Sequence, residues 1–136
     1  MSLGASAFIL LSQAYVVAEA SLTGVVTHVR DVDTLEVEGV AIRLNGVDGP
    51  ELDAPYGREA AAFMRILAEG REVTCRLNGE RNRDRLIGVC YLEGQDIGAL
   101  AISAGFALDC RRYSGGRYAP LEVPELHARL GRARYC

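Results

Sequence analysis

The sequence predicts a mainly β protein with helices, a small closed barrel of five strands with about three helices. Three observations predict it. Five short runs alternate apolar and polar residues as half-buried strands do, a helical apolar period appears after the third and fifth of them, and Gly or acidic residues mark the boundaries. A chain of 136 residues has the length of one domain, whose single core buries about two thirds of the unfolded surface.

Gly24 to Arg30, Thr34 to Glu38 and Val40 to Leu44 read as a three-stranded meander joined by acidic or Gly-containing turns. Gly57 to Gly70 reads as a helix with Ala60, Phe63, Ile66 and Leu67 on one face, Gly70 as its stop, and Pro50 and Pro55 in the loop before it. Arg71 to Leu77 and Leu86 to Leu92 give the last two strands. Asp96 then caps a second helix with Ile97, Leu100, Ala101 and Ala104 as its stripe, and a third spans roughly Leu121 to Leu130. Five strands with helices after the third and fifth is the order of an oligonucleotide-binding (OB) barrel with added helices.

At the N-terminus, residues 5–18 are mostly apolar and run into Ala18-Glu-Ala20, the small-x-small pattern of a signal-peptidase site. This predicts a leader at 1–20 before a single domain at 21–136. No Lys or Arg precedes the stretch, and Phe8, Leu11, Tyr15, Ala18 and Leu22 recur at helical spacing, so an amphipathic N-terminal helix is the other reading. The stretch is too short to span a bilayer.

Four cysteines allow three pairings. Cys75 and Cys90 lie in strand-like runs on either side of an Arg-rich turn, where they can face each other across a hairpin; Cys110 with Cys136 would then tie the tail to the body. Paired, they place the protein in the periplasm or outside the cell; buried free thiols would place it in the cytosol. No C-x-x-C metal spacing occurs.

The net charge of −3 excludes binding of polyanions by bulk charge, so any phosphate must be met locally. Residues 1–60 hold nine acids and three Arg, residues 61–136 nine acids and twelve Arg, and no Lys occurs. Asp31 and Asp33 lie two apart at a strand end, and Asp48 ends another strand. Clustered carboxylates repel unless a cation neutralises them, and oxygen donors without Cys or paired His favour calcium or magnesium. Glu51, in the Pro50 loop, is placed to deprotonate a water beside that cation. Arg43 interrupts an apolar run and needs solvent or an anion. Arg85 ends the basic turn Arg81-Asn-Arg-Asp-Arg85, and guanidinium pairs suit phosphate oxygens.

Asp31-Val-Asp-Thr34, Arg43-Leu44, Asp48-Gly-Pro-Glu51 and Arg81-Asn-Arg-Asp-Arg85-Leu-Ile-Gly-Val together resemble the motifs of the staphylococcal-nuclease-like (thermonuclease) family, over about residues 23–113. That family runs Asp-Gly-Asp-Thr, Arg-Leu, Asp-x-Pro-Glu, then Asp-Arg-Tyr-Gly-Arg before an apolar strand. The tail, with Tyr135-Cys136 at its end, looks like that of an exported bacterial branch whose tail is cross-linked.

The resemblance implies a calcium-dependent nuclease that hydrolyses single-stranded DNA and RNA with little sequence preference and leaves 3′-phosphate ends. Asp33 and Asp48 would be calcium ligands with the Gly49 carbonyl, supported by Asp31; Glu51 would assist the attacking water; Arg43 and Arg85 would hold the phosphate. Tyr113 and Arg83 would contact the nucleotide. No stable protein partner, no membrane association and a monomer are expected. Val32, Gly49, Asp84 and Arg111 depart from the family pattern, Val32 and Gly49 standing where Gly and Thr are usual. A catalytically inactive OB module that only binds nucleic acid is the competing function, and a sugar- or peptide-binding barrel with a structural cation is a third. His28 and His127 belong to no motif.

Overall fold

The computed structural model describes residues 2–10 and 20–136. Residues 2–10 carry no helix or strand; most of the apolar stretch read as leader or helix, 11–19, lies outside the described residues. No described helix is long and apolar enough to cross a membrane.

The core is a ring of five strands. β1 (Ala20–Asp31), β2 (Thr34–Val37) and β3 (Val40–Leu44) form the meander, and β1 also pairs with β5 (Glu72–Asn82), which pairs with β6 (Arg85–Leu92). β3 and β6 close the ring in parallel, with Arg43 opposite Ile87. β1 serves two partners because it bends: its register shifts between Val26 and His28 and again between Val29 and Asp31. Bulges of this kind increase local twist and let one strand turn a barrel corner. Val26, Val29, Leu35, Val37, Ile42, Val73 and the Cys75–Cys90 disulfide fill the interior.

Helix α1 (Gly57–Ala68) closes one end of the ring with Ala60, Ala61, Met64 and Ala68. The expected face differs in one place: Ile66 is 87% exposed, because the buried stripe steps by four from Ala60 through Met64 to Ala68. A two-residue strand, β7 (Gln95–Asp96), leads into α2 (Ile97–Ser103), capped as expected: Asp96 Oδ1 accepts from the amides of Gly98 and Ala99 at 2.9 and 3.1 Å. Its other oxygen accepts the Tyr118 hydroxyl at 2.6 Å.

Three differences from the sequence reading bear on the site. The strands flanking the basic segment are longer than expected: β5 continues to Asn82 and β6 begins at Arg85, leaving only Arg83 and Asp84 as the turn, with Arg83 at φ 59°. A short pairing absent from the sequence reading joins β4 (Val47–Asp48) to β8 (Leu108–Asp109), tying the Asp48 loop to the segment that carries Cys110. The third helix is broken into a 3₁₀ turn at Ala119–Leu121 and α4 (Pro124–His127), with a further short helix α3 (Arg111–Ser114) before it. Pro124 explains the break: it starts a helix readily and cannot continue one from residues before it. His127 is a core residue, its ring bonded to Val123 and to the Ile102 carbonyl.

Candidate active site

The site is built from the ends of β1, β2, β3 and β6. Asp33 follows the turn after β1 and is 5% exposed. Its Oδ2 accepts from the Gly49 amide at 2.9 Å and pairs with the Arg43 guanidinium at 3.1 Å. Its Oδ1 accepts from the Thr34 hydroxyl at 3.3 Å, and that hydroxyl in turn accepts from Arg85 Nη1 at 3.0 Å. One chain of contacts therefore runs from the Asp48–Gly49 peptide through Asp33 and Thr34 to Arg85. Asp31 supports it from behind, its Oδ1 accepting the Asp33 amide at 3.2 Å.

Arg43 faces Thr34 across the β2–β3 ladder, which fixes its place beside Asp33. It also donates to the Val47 carbonyl at 2.8 Å, so its buried charge is spread over carbonyls as well as the carboxylate. Arg85 is aimed by Asn82, whose Oδ1 accepts from Nη2 at 2.6 Å. Both arginines line one cavity of about 470 Å³, together with Arg81, Asn82, Tyr113 and Tyr135. The expected pair thus shares a wall, with Tyr113 on it. Arg83 is elsewhere: it sits exposed at the hairpin apex, and Arg81 takes the cavity position.

Asp48 and Glu51 face a second cavity of about 510 Å³ bounded by the C-terminal tail, including Arg129, Arg132 and Tyr135. Asp48 Oδ2 accepts from the Ala133 amide at 2.7 Å. Glu51 is exposed, on a turn closed by the Ala54 amide on its carbonyl at 3.0 Å. That carbonyl packs where a side chain on Gly57 would lie, 1.8 Å from an added Cβ, so only Gly at the start of α1 admits this loop. The tail is held by Cys110–Cys136 and by the two-pronged pair of Arg132 with Glu122, at 2.9 Å from each oxygen. Both disulfides are the pairings expected from the sequence, and they suit an oxidising compartment.

Burial pushes the Asp33 carboxyl well above the ordinary range; Arg43 only partly offsets this, and Asp31 adds to it. Burial likewise raises Asp48 against the Ala133 amide and two arginines. Both acids therefore bind a proton more tightly folded than unfolded. The stability they contribute is fully present below the unfolded carboxylate pKa, about 4, and is lost as pH rises through the raised folded values. In EDTA, urea midpoints are expected to fall from pH 4 toward neutrality, and Asp33→Asn is expected to flatten the profile.

The departures from the family pattern have local explanations. Val32 does not adopt positive φ; it is fully buried, and its Cγ1 lies 2.1 Å from where a Cβ on residue 49 would stand. Val32 and Gly49 are thus a matched pair, one side chain filling the room the other leaves. Gly49→Ala is expected to cost about 1–3 kcal/mol and markedly less in a Val32→Ala background; additive costs in urea unfolding would disprove the match. Asp84 is engaged by Arg30 through both oxygens, at 3.2 and 2.7 Å, and this pairing lowers its carboxyl. Its charge is thereby engaged first by Arg30 on β1, with Arg85 a weaker electrostatic neighbour. Arg111 is exposed at the start of α3.

With this geometry in view, comparison places the chain. Residues 41–133 match the staphylococcal nuclease homologue family. The chain belongs to the staphylococcal nuclease family. The match takes in Arg43, Asp48, Glu51, Arg85 and the tail to Ala133, and it begins after the Asp31–Thr34 turn that the fold brings to the same site. Among relatives, the succinoglycan biosynthesis protein ExoI of Rhizobium meliloti is 31% identical over 65% of this chain and 53% of its own length, so the chain spans about half of that protein. An uncharacterized endonuclease of Escherichia coli is 31% identical over 75% of this chain and 70% of its own length. A staphylococcal-like nuclease of Arabidopsis thaliana is 32% identical over 48% of this chain and 20% of its own length. The ring of five strands with helices at its end is the OB-type barrel expected of a staphylococcal nuclease homologue.

Sequence reasoning missed six residues that line or brace these staphylococcal-nuclease-family cavities. Thr34 was legible as part of a motif, though not as the bridge between Asp33 and Arg85. Asn82 and Arg81 were hidden by reading their segment as a turn. The tail contacts at Arg132, Ala133 and Tyr135 had one available signal, the position of Cys136. Among the described residues no three His, Cys, Asp or Glu side chains converge tightly enough to form a metal site by themselves.

Proposed function

We propose that the chain is a calcium-dependent nuclease that hydrolyses phosphodiester bonds of single-stranded DNA and RNA with low sequence specificity, leaving 3′-phosphate ends. The observation that carries this reading is the continuous network of Gly49 amide, Asp33 carboxylate, Thr34 hydroxyl and Arg85 guanidinium, with Arg43 on the same carboxylate and the same cavity wall. Two guanidinium groups beside a buried carboxylate support a site for phosphate next to a cation. The nuclease names of the Escherichia coli and Arabidopsis relatives support it.

The donor set fits a hard cation. Burial drives Asp33 and Asp48 toward their neutral forms, a divalent charge would hold both ionised, and all available donors are oxygens, as calcium prefers. Asp33, Asp48 and the Gly49 carbonyl would hold it, with Asp31 in support and water filling the remaining positions. A bound calcium supplies positive charge to the phosphate and lowers the pKa of an adjacent water. Arg43 and Arg85 hold the phosphate and stabilise the charge that grows on its oxygens during in-line displacement. Glu51, exposed and free of hydrogen-bonding partners among the described residues, takes the proton from the attacking water. Tyr113, about half exposed on the cavity wall, offers a face to a base. Two disulfides favour action in the periplasm or outside the cell.

The test is to incubate the full chain with single-stranded DNA in calcium and in EDTA. Cleavage in calcium, its loss in EDTA, and product ends that a polymerase extends only after phosphatase treatment are expected. Equal cleavage in both conditions would remove calcium from the mechanism.

A further inference from the structure

The residues just before the terminal cysteine reach the site from outside the barrel. Tyr135 borders both cavities, the one lined by Arg43 and Arg85 and the one lined by Asp48 and Glu51, whereas Tyr113 lines the first alone. The two rings meet edge to face with centroids 6.4 Å apart and planes at 61°. They are 48% and 52% exposed, which leaves much of each ring accessible.

Their proximity has a covalent cause. Tyr113 follows Cys110 by three residues and Tyr135 directly precedes Cys136, and the disulfide joins these positions with Cα atoms 4.6 Å apart. Cys110 is buried against the β8 end of the fold, so its side of the link is fixed. The Ala133 amide on Asp48 and Arg132 on Glu122 fix the other side. Arg112 lies over the Tyr113 ring at 5.5 Å, while among the described residues no guanidinium covers Tyr135. An open aromatic face beside two phosphate-binding guanidinium groups has the composition of a nucleotide subsite, π face for the base and positive charge for the backbone.

We propose that Tyr135 is a base-stacking residue of this site, and that the Cys110–Cys136 disulfide holds it in place, so that the cross-linked tail sets how tightly a nucleobase next to the bound phosphate is gripped. The ligand class is an unpaired, base-bearing polynucleotide. The proposal rests on the nuclease reading for its substrate, and its test is a binding measurement that does not depend on cleavage.

Fluorescence anisotropy in EDTA compares a labelled single-stranded oligodeoxynucleotide with an abasic strand of the same length. The wild-type chain is expected to bind the base-bearing strand about tenfold more tightly, in the range aromatic stacking provides. Tyr135→Ala is expected to remove most of that preference, Tyr135→Phe to retain it because the ring persists, and Cys136→Ser to resemble Tyr135→Ala because the ring is untethered. A preference of the same size in wild type and Tyr135→Ala, or equal binding of both strands by the wild type, would overturn the proposal. Cleavage assays in calcium on the same preparations separate the two readings. Cleavage with an unaltered preference in Tyr135→Ala defeats this inference alone, and no cleavage with a Tyr135-dependent preference defeats the nuclease reading alone.

Discussion

Arg43→Met is expected to lower single-stranded DNA cleavage by about 10²–10³-fold, the usual loss when one donor to a developing oxyanion is removed, and to destabilise the fold as well. The second effect follows from burial. Asp33 would keep the Gly49 amide and the Thr34 hydroxyl but lose its cationic partner at 3.1 Å. Above the raised Asp33 titration range, breaking a buried pair in this way costs about 3–5 kcal/mol, because a charge is left without compensation; below that range the carboxyl takes up a proton and the cost is smaller. A second variant isolates the structural role: in Arg43→Met with Asp33→Asn the orphaned charge is gone, so urea unfolding is expected to recover most of the loss, and because a proposed calcium ligand is also removed its cleavage says nothing of Arg43. The chemical role is read from Arg43→Met alone, assayed well below its own urea midpoint, where a rate within a factor of two of wild type would show that Arg43 only supports the fold.

Glu51→Gln is expected to have the cleaner phenotype. The side chain is exposed and makes no hydrogen bond in the described structure, so its removal should shift unfolding by no more than about 0.5 kcal/mol. Its turn is held by backbone, through Ala54 and the close approach to Gly57, and survives the substitution. Loss of a general base costs about 10²–10⁴-fold in rate. Single-turnover cleavage in saturating calcium measures it, and a rate within a factor of two of wild type would leave Glu51 without a chemical role.

The barrel was legible in the sequence because its strands alternate and its first helix runs between a Pro-bearing loop and Gly70, signals that depend on neighbours in the chain. The pairing of β3 with β6 was not, since a parallel contact between Arg43 and Ile87 leaves no local mark on either segment. The acids and arginines could be named from motif spacing, and Arg43 and Arg85 do share a wall. Their orientation could not be named. Arg85 owes it to Asn82 and Thr34, and Asp48 to an amide 85 positions away at Ala133. Ile66 was misread because periodicity locates an apolar face only to within about a residue's rotation, and the stripe through Met64 was the tighter fit. The Val32–Gly49 match was invisible for the opposite reason: each residue, considered alone, is only a departure from the family pattern.

The seam between β3 and β6 carries one more implication. It joins segments some forty positions apart, and long closures of this kind are entropically costly and form only with much of the fold in place. Arg43 stands on one lip of that seam and Arg85 at the start of the other. A half-folded chain therefore carries both guanidinium groups yet has no cradle between them, and whatever hydrolytic power the finished barrel has is withheld until the last gap shuts.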